Sequence, residues 1–270
     1  MEPVTVQGVE VPALGLGTAR MEGEECRRAV ETALDLGYRH VDTAQMYENE
    51  EAVGAAIRDH EVDRDDVFLV TKVHPSNLAR EDVFDSFEAS LDRLGLEYVD
   101  LLLIHAPRSY ADVGETLDAM NELQAAGSVD HVGVSNFSVE QLEEAIAVSS
   151  TPILTNQVEY HPYNSQSDLL SFCIEEDVLL TAYSPLGKGK VVGDDTLAET
   201  GERYGKTSSQ VALRWLLQQE NVAAIPKASS EEHLRENAAV SDFELTNEEM
   251  EAVFELQGGL LDRLRSALGL

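Results

Sequence analysis

The sequence predicts an α/β fold: a (β/α)8 barrel of the TIM type, with an N-terminal β-hairpin and extra C-terminal helices. Three observations predict it. Short stretches rich in Val, Leu and Ile alternate with segments of helical periodicity along most of the 270 residues. Those short stretches are apolar throughout, as strands covered on both faces should be. Eight strand–helix pairs in about 225 residues suit a closed barrel better than an open doubly wound sheet.

The elements follow in order. VTV-QG-VEV alternates polar and apolar residues about a turn containing Gly8, which reads as a hairpin. The candidate strands are ALGLGT (13–18), HVDTA (40–44), VFLVTKV (67–73), VDLLLIH (99–105), HVGVSN (131–136), LTNQVEY (154–160), LLTAYSP (179–185) and VAAIPK (222–227). Between them, EECRRAVETALDLGY places Cys26, Ala29, Val30, Ala33 and Leu34 on one helix face, with Gly37 as the stop. EDVFDSFEASLDRLGL repeats the design with Val83, Phe84, Phe87, Leu91 and Leu94, and stops at Gly95. Ser138 with Gln141, and Thr207 with Gln210, have the spacing of capping boxes. A last helix, TNEEMEAVFEL, precedes an apolar tail, GGLLDRLRSALGL, expected to pack on the barrel or over its mouth. No linker, repeat or low-complexity segment divides the chain, so residues 1–270 read as one domain.

Composition narrows the function classes. There are 51 acidic against 19 basic side chains, a formal net charge of −32, and the acids are spread through the whole chain. A dispersed acidic surface argues against nucleic acid or an anionic membrane as partner. It also suggests a protein adapted to molar salt, where a Debye length near 3 Å at about 1 M screens the self-repulsion. Nothing is apolar enough to span a bilayer and no signal peptide opens the chain. Cys26 and Cys173 read as buried thiols in a reducing cytoplasm.

The chemistry gathers between Asp42 and His105. Asp42, Tyr47, Lys72 and His105 each sit at or just after the end of a candidate strand. Three successive strands would thus deliver a carboxylate, a phenol, an amine and an imidazole to one end of a barrel. A tyrosine near its reference pKa of about 10 is a poor proton donor at neutral pH. A nearby ammonium favours the phenolate, a carboxylate keeps the ammonium charged and placed, and a histidine can orient a substrate oxygen or share the proton. Together they suit protonation of a carbonyl oxygen. Gly15-Leu16-Gly17 is a bare GxG with no third glycine, and there is no GxxxxGK[ST] loop.

The segments GYRHVDTAQMYENEEAVG, FLVTKV, LDRLGLEYVDLLLIHAP, VGVSNF, NQVEYHPY, AYSPLGKG and IPKASSEEHLREN resemble those of the aldo-keto reductases, collinearly and over nearly the whole chain. The short connections resemble bacterial and archaeal members. The resemblance implies a barrel that binds a nicotinamide coenzyme, NADP(H) or NAD(H), without a Rossmann domain. Hydride passes to a small-molecule aldehyde, ketone or keto-sugar, with Tyr47 as proton donor, Lys72 and Asp42 tuning it, and His105 orienting the carbonyl. It further implies coenzyme contacts from Thr18, Asp42, Ser135, Asn136, Gln157, Tyr183, Ser184, Leu186, Gly187, Lys227, Ser229, His233 and Asn237. No metal is implied.

Two departures matter. Members that prefer NADPH usually follow the lysine with Ser or Thr and carry an arginine five residues later; here Ala228 and His233 stand there. Lys227 still favours NADP(H), with NAD(H) as the second coenzyme. Many relatives have tryptophans where this chain has Ala19 and Ala106, so the substrate pocket is expected to be wider and less aromatic, or filled by Arg20, Met46, His74, Arg108 or the tail. The expectation is a cytoplasmic monomer. The rival readings are a coenzyme-binding regulatory barrel with little turnover and a metal-dependent barrel hydrolase using Asp42 and His105.

Overall fold

The structure is a computed structural model that describes residues 3–108 and 111–268, with side chains as far as Gln257. Its first element is the hairpin β1 (Pro3–Val6) and β2 (Val9–Pro12), paired antiparallel. Gln7 (φ 53°) and Gly8 (φ 78°) both take the left-handed region in the turn, as a two-residue hairpin loop needs.

Eight parallel strands follow in sequential order: β3 (Leu16–Gly17), β4 (His40–Asp42), β5 (Phe68–Val73), β6 (Val99–Ile104), β7 (Val129–Ser135), β8 (Ile153–Glu159), β9 (Leu179–Tyr183) and β10 (Val222–Ala224). The ends of this curled sheet meet: Leu14 bridges Ala224, and Ala224 N–H donates to Ala13 O at 2.8 Å. Gly17 N–H donates to Pro226 O at 3.2 Å in the same seam, and a Cβ on Gly17 would meet the Ile225 carbonyl oxygen at 2.7 Å. The GxG of the sequence therefore serves barrel closure.

The crossover helices are α1 (Gly23–Asp35), α2 (Glu50–Asp59), α3 (Arg80–Leu94), α4 (Val113–Ala125), α5 (Val139–Val148) and α6 (Ser167–Glu175). Between β9 and β10 lie α7 (Asp195–Tyr204) and α8 (Ser208–Leu217); α9 (Glu231–Ala238) and α10 (Asn247–Leu268) follow the last strand. Both expected capping boxes form, at Ser138/Gln141 and Thr207/Gln210. Gly95 caps α3 in the left-handed conformation that glycine adopts without cost. The tail residues 258–270, expected to cover the barrel or its mouth, continue α10 to Leu268, but their side chains lie outside the described residues.

Apolar residues form two layers. The larger fills the space between strands and helices, with Val41, Leu69, Leu102, Val132 and Leu180 facing residues such as Val30, Phe87 and Trp215. The smaller lies inside the barrel and joins Val6 and Val11 of the hairpin to Phe68, Val70, Leu101, Leu103, Leu154 and Leu179. Gln7 Nε2 donates to Ile153 O at 3.0 Å, at the amino end of β8, so the hairpin plugs the amino-terminal mouth. The opposite mouth is left for chemistry.

Candidate active site

Asp42 closes β4, Lys72 lies next to last in β5, and His105 follows β6 directly. Tyr47 ends a 3₁₀ turn, Gln45–Tyr47, that β4 feeds into. The register pairs β4 with β5 and β5 with β6, so the three carriers are neighbours in the sheet. The site brings all four groups together.

Lys72 is wholly buried, and its Nζ donates to Asp42 Oδ1 at 2.6 Å and to the Thr43 carbonyl at 2.8 Å. It stands 3.5 Å from the Tyr47 hydroxyl and 5.0 Å from that ring's centre. The second oxygen of Asp42 accepts from Gln157 Nε2 at 2.7 Å. Burial works against the Lys72 ammonium, but the Asp42 carboxylate and Tyr47 outweigh it and hold the amine above its ordinary value. For Tyr47 burial is the larger influence and raises the phenol, while Lys72 pulls it down. The His105 ring lies edge-on to Tyr47, centroids 5.6 Å apart. Burial, then Lys72, depress His105 to about 4, so the imidazole is neutral at pH 7 and can donate from one nitrogen.

These groups open into a cleft of about 690 Å³, lined also by Gly17, Ala19, Arg20, Ser135, Asn136, Gln157, Tyr183, Ser184, Leu186 and Lys227. Asn136 Nδ2 donates to His105 O at 3.0 Å and its Oδ1 accepts from the Tyr183 hydroxyl at 2.9 Å. Four non-glycine residues on this rim have left-handed backbones: Arg20 (φ 64°), Asn136 (φ 63°), Ser184 (φ 48°) and Lys188 (φ 56°). Such conformations cost about 1–3 kcal/mol each and concentrate at ligand sites.

A second hollow of about 580 Å³ shares Leu186 and Lys227 with the first and adds His233, Asn237, Glu202 and Glu236. The two hollows adjoin at Leu186 and Lys227, with the amides of Asn136 and Gln157 lining the first and Asn237 the second, a donor set that suits a nicotinamide coenzyme. Lys227 Nζ donates to Ser229 Oγ at 3.2 Å and lies 3.9 Å from Glu25 Oε1. Arg235 turns away and binds Glu231 at 2.7 Å.

Other expected residues sit elsewhere. Thr18 is buried and donates to Asp42 O at 2.9 Å, and Gly187 packs beside Tyr163 and His161. Met46 is exposed, His74 bonds Ser76, and neither they nor Ala106 are among the cleft's lining. Arg108 lines a separate hollow with Phe137 and Glu144. Three residues escaped the sequence reading. Gln45 accepts from His74 N–H at 2.7 Å, and buried Asn49 and Glu50 bond the strand ends around the site. Asn49 and Glu50 lie in ENEE, which by composition is one more acidic stretch in a chain full of them, and Gln45 carries no signal of its own.

Comparisons agree with this geometry. The model of the Aldo/keto reductase family matches residues 13–257. A glyoxal reductase of Bacillus subtilis is 40% identical over 249 residues, covering 91% of this chain and 89% of its own. A 9,11-endoperoxide prostaglandin H2 reductase of Trypanosoma cruzi is 40% identical over 252 residues, covering 92% and 88%. A solved structure provisionally described as a 2,5-diketo-D-gluconic acid reductase B superposes with a TM-score of 0.94 at 48% identity, covering 95% of this chain and 92% of that one. These relatives carry reductase names, and none lends support to a regulatory barrel. With the barrel, the buried lysine–carboxylate pair beside a tyrosine and a match across most of its length, the chain belongs to the aldo/keto reductase family, and its reaction is the reduction of a carbonyl group.

Proposed function

We propose that the chain reduces small aldehydes, ketones or keto-sugars by direct hydride transfer, and runs the reverse alcohol oxidation, with NADP(H) first and NAD(H) second. The observation that carries this reading is the buried Asp42–Lys72 pair held 3.5 Å from the Tyr47 hydroxyl. The coenzyme, when bound, supplies the hydride to the carbonyl carbon. The chain's residues supply the rest. Tyr47 gives its proton to the carbonyl oxygen, completing the alcohol. The Lys72 ammonium stabilises the phenolate left behind, and Asp42 favours that ammonium's charge against the opposing effect of burial. Neutral His105 donates a hydrogen bond to the same oxygen and orients it.

Ser135, Asn136 and Gln157 would hold the carboxamide of the nicotinamide, Tyr183 its ring, and Lys227 the phosphate end, with Asn237 at the adenine. Glu25 beside Lys227 and His233 in place of an arginine weaken the site for a 2′-phosphate, which supports NADH as a second coenzyme. Ala19 and Arg20 on the cleft wall suit an open pocket for small, polar or acidic carbonyl compounds. The names of the glyoxal and diketogluconic acid reductases support that class. We further read residues 1–270 as one domain, a cytoplasmic monomer of the short-loop prokaryotic type, adapted to high salt by its net charge of −32.

Titration with NADPH and NADH tests the reading. Trp215 is buried between Tyr160 and Phe254, so bound-coenzyme emission is the signal to follow. Tighter NADPH binding is expected. Equal or tighter NADH binding would refute the phosphate role of Lys227, and binding of neither at any salt would refute the reductase reading.

A further inference from the structure

Asn49 is 2% exposed, and every polar atom of its side chain is used. Its Nδ2 donates to Thr18 O at 2.9 Å and to Met21 O at 3.0 Å, on the loop that leaves β3. Its Oδ1 accepts from Thr43 Oγ1 at 2.7 Å, just past β4. Thr43 is also the residue whose carbonyl holds Lys72 Nζ, and its own N–H donates to Val70 O of β5 at 2.9 Å. One residue further on, the Glu50 carboxylate is buried, accepting from Thr71 Oγ1 at 2.6 Å and from Arg93 of α3 at 2.6 Å. The exposed Glu48, left-handed at φ 55°, is the only residue between Tyr47 and this buried pair.

We infer that Asn49 is a positioning residue for proton donation: it fixes the backbone that carries Tyr47 to the Thr43 carbonyl that holds Lys72, and both to the end of β3. The inference rests on the reductase reading above. Tyr47 lines the cleft while Lys72 lies buried behind it on a different segment, and their 3.5 Å separation is set by how those segments are tied. The Asn49 side chain bonds Thr43, Thr18 and Met21 rather than Tyr47 or Lys72, and it is absent from the cleft's lining. It acts through Thr43. Loss of its amide frees the Gln45–Glu48 turn to drift from Lys72, and a drift near 1 Å in such a pair costs up to about a hundredfold in rate.

The test compares Asn49→Ala with the gentler Thr43→Val, which removes only the hydroxyl bonded to Asn49 and keeps the carbonyl that holds Lys72. Both are expected to lower kcat at least about tenfold with coenzyme affinity within about twofold of the parent. The alkaline limb of the kcat profile should move to higher pH, because Tyr47 loses part of its ammonium neighbour. Thr43→Ser should recover the rate, and the double variant should lose less than the product of the single losses. If Asn49→Ala fails to fold, Thr43→Val, nearly equal in shape, decides alone. Parent-like kcat, or a loss with the limb unmoved and no recovery in Thr43→Ser, would overturn the inference. Absence of turnover in the parent would instead overturn the reductase reading.

Discussion

The Tyr47 hydroxyl, Lys72 Nζ and Asp42 Oδ1 form a short chain of contacts whose end reaches the cleft, and its ionisation is set by surroundings. His105 beside it is held at about 4 by burial and by Lys72. Its ordinary value is near 6.5, so kcat for carbonyl reduction should show no ionisation in that region. A limb near pH 6.5 that vanishes in His105→Asn would contradict this. The stability sign follows from the same depression. The unfolded chain takes up the proton first, so the contribution of His105 to stability is whole above about pH 6.5 and falls as pH drops towards 4. These four polar residues were legible in the sequence because strand ends announce them. Asn49 and Glu50 were not: inside ENEE nothing separates a buried clamp from a solvated acid until the fold turns them inward. Nor did the sequence settle Met46, His74, Ala106 and Arg108, since side-chain direction past a strand end depends on loop torsions that no periodicity encodes.

At the scale of elements, the strands were legible as unbroken apolar runs and the helices as periodic ones. The first barrel strand, β3, is only Leu16–Gly17 where the apolar run spans 13–18; Leu14 before it makes an isolated bridge to Ala224 across the seam. Helix α7 went unseen, for DTLAETGERY buries only Leu197, Thr200 and Gly201 and carries little apolar signal. Packing between helices is tight where small residues allow it. Gly54 of α2 lies against the backbone of Leu94 in α3, and a Cβ there would strike the Leu94 carbonyl. Gly54→Ala should therefore cost about 1–3 kcal/mol despite alanine's better helix propensity. Urea unfolding checks it; an unchanged or raised midpoint would show that α2 shifts freely on α3.

The whole molecule carries 51 acidic side chains on a closed barrel with 19 basic ones. Several cations are already committed at short range, Lys72 to Asp42, Arg93 to Glu50, Lys206 to Asp242 and Arg64 to Asp100. Most of the surface charge is thus uncompensated, and screening by salt should stabilise the fold. Thermal unfolding in falling KCl should show Tm dropping as salt is withdrawn; full stability in dilute buffer would contradict the halophilic reading. Barrel closure and the position of the site at the carboxyl ends of the strands place the reacting groups on strands β4 to β6. The claim that joins the scales is that this rigid end presents Tyr47 as the proton donor. Its most direct measurement is coenzyme-dependent reduction of a small dicarbonyl by Tyr47→Phe, with coenzyme affinity measured alongside. The account predicts a kcat loss of about a hundredfold or more with binding retained. A Tyr47→Phe enzyme that turns over within about twofold of the parent would contradict it.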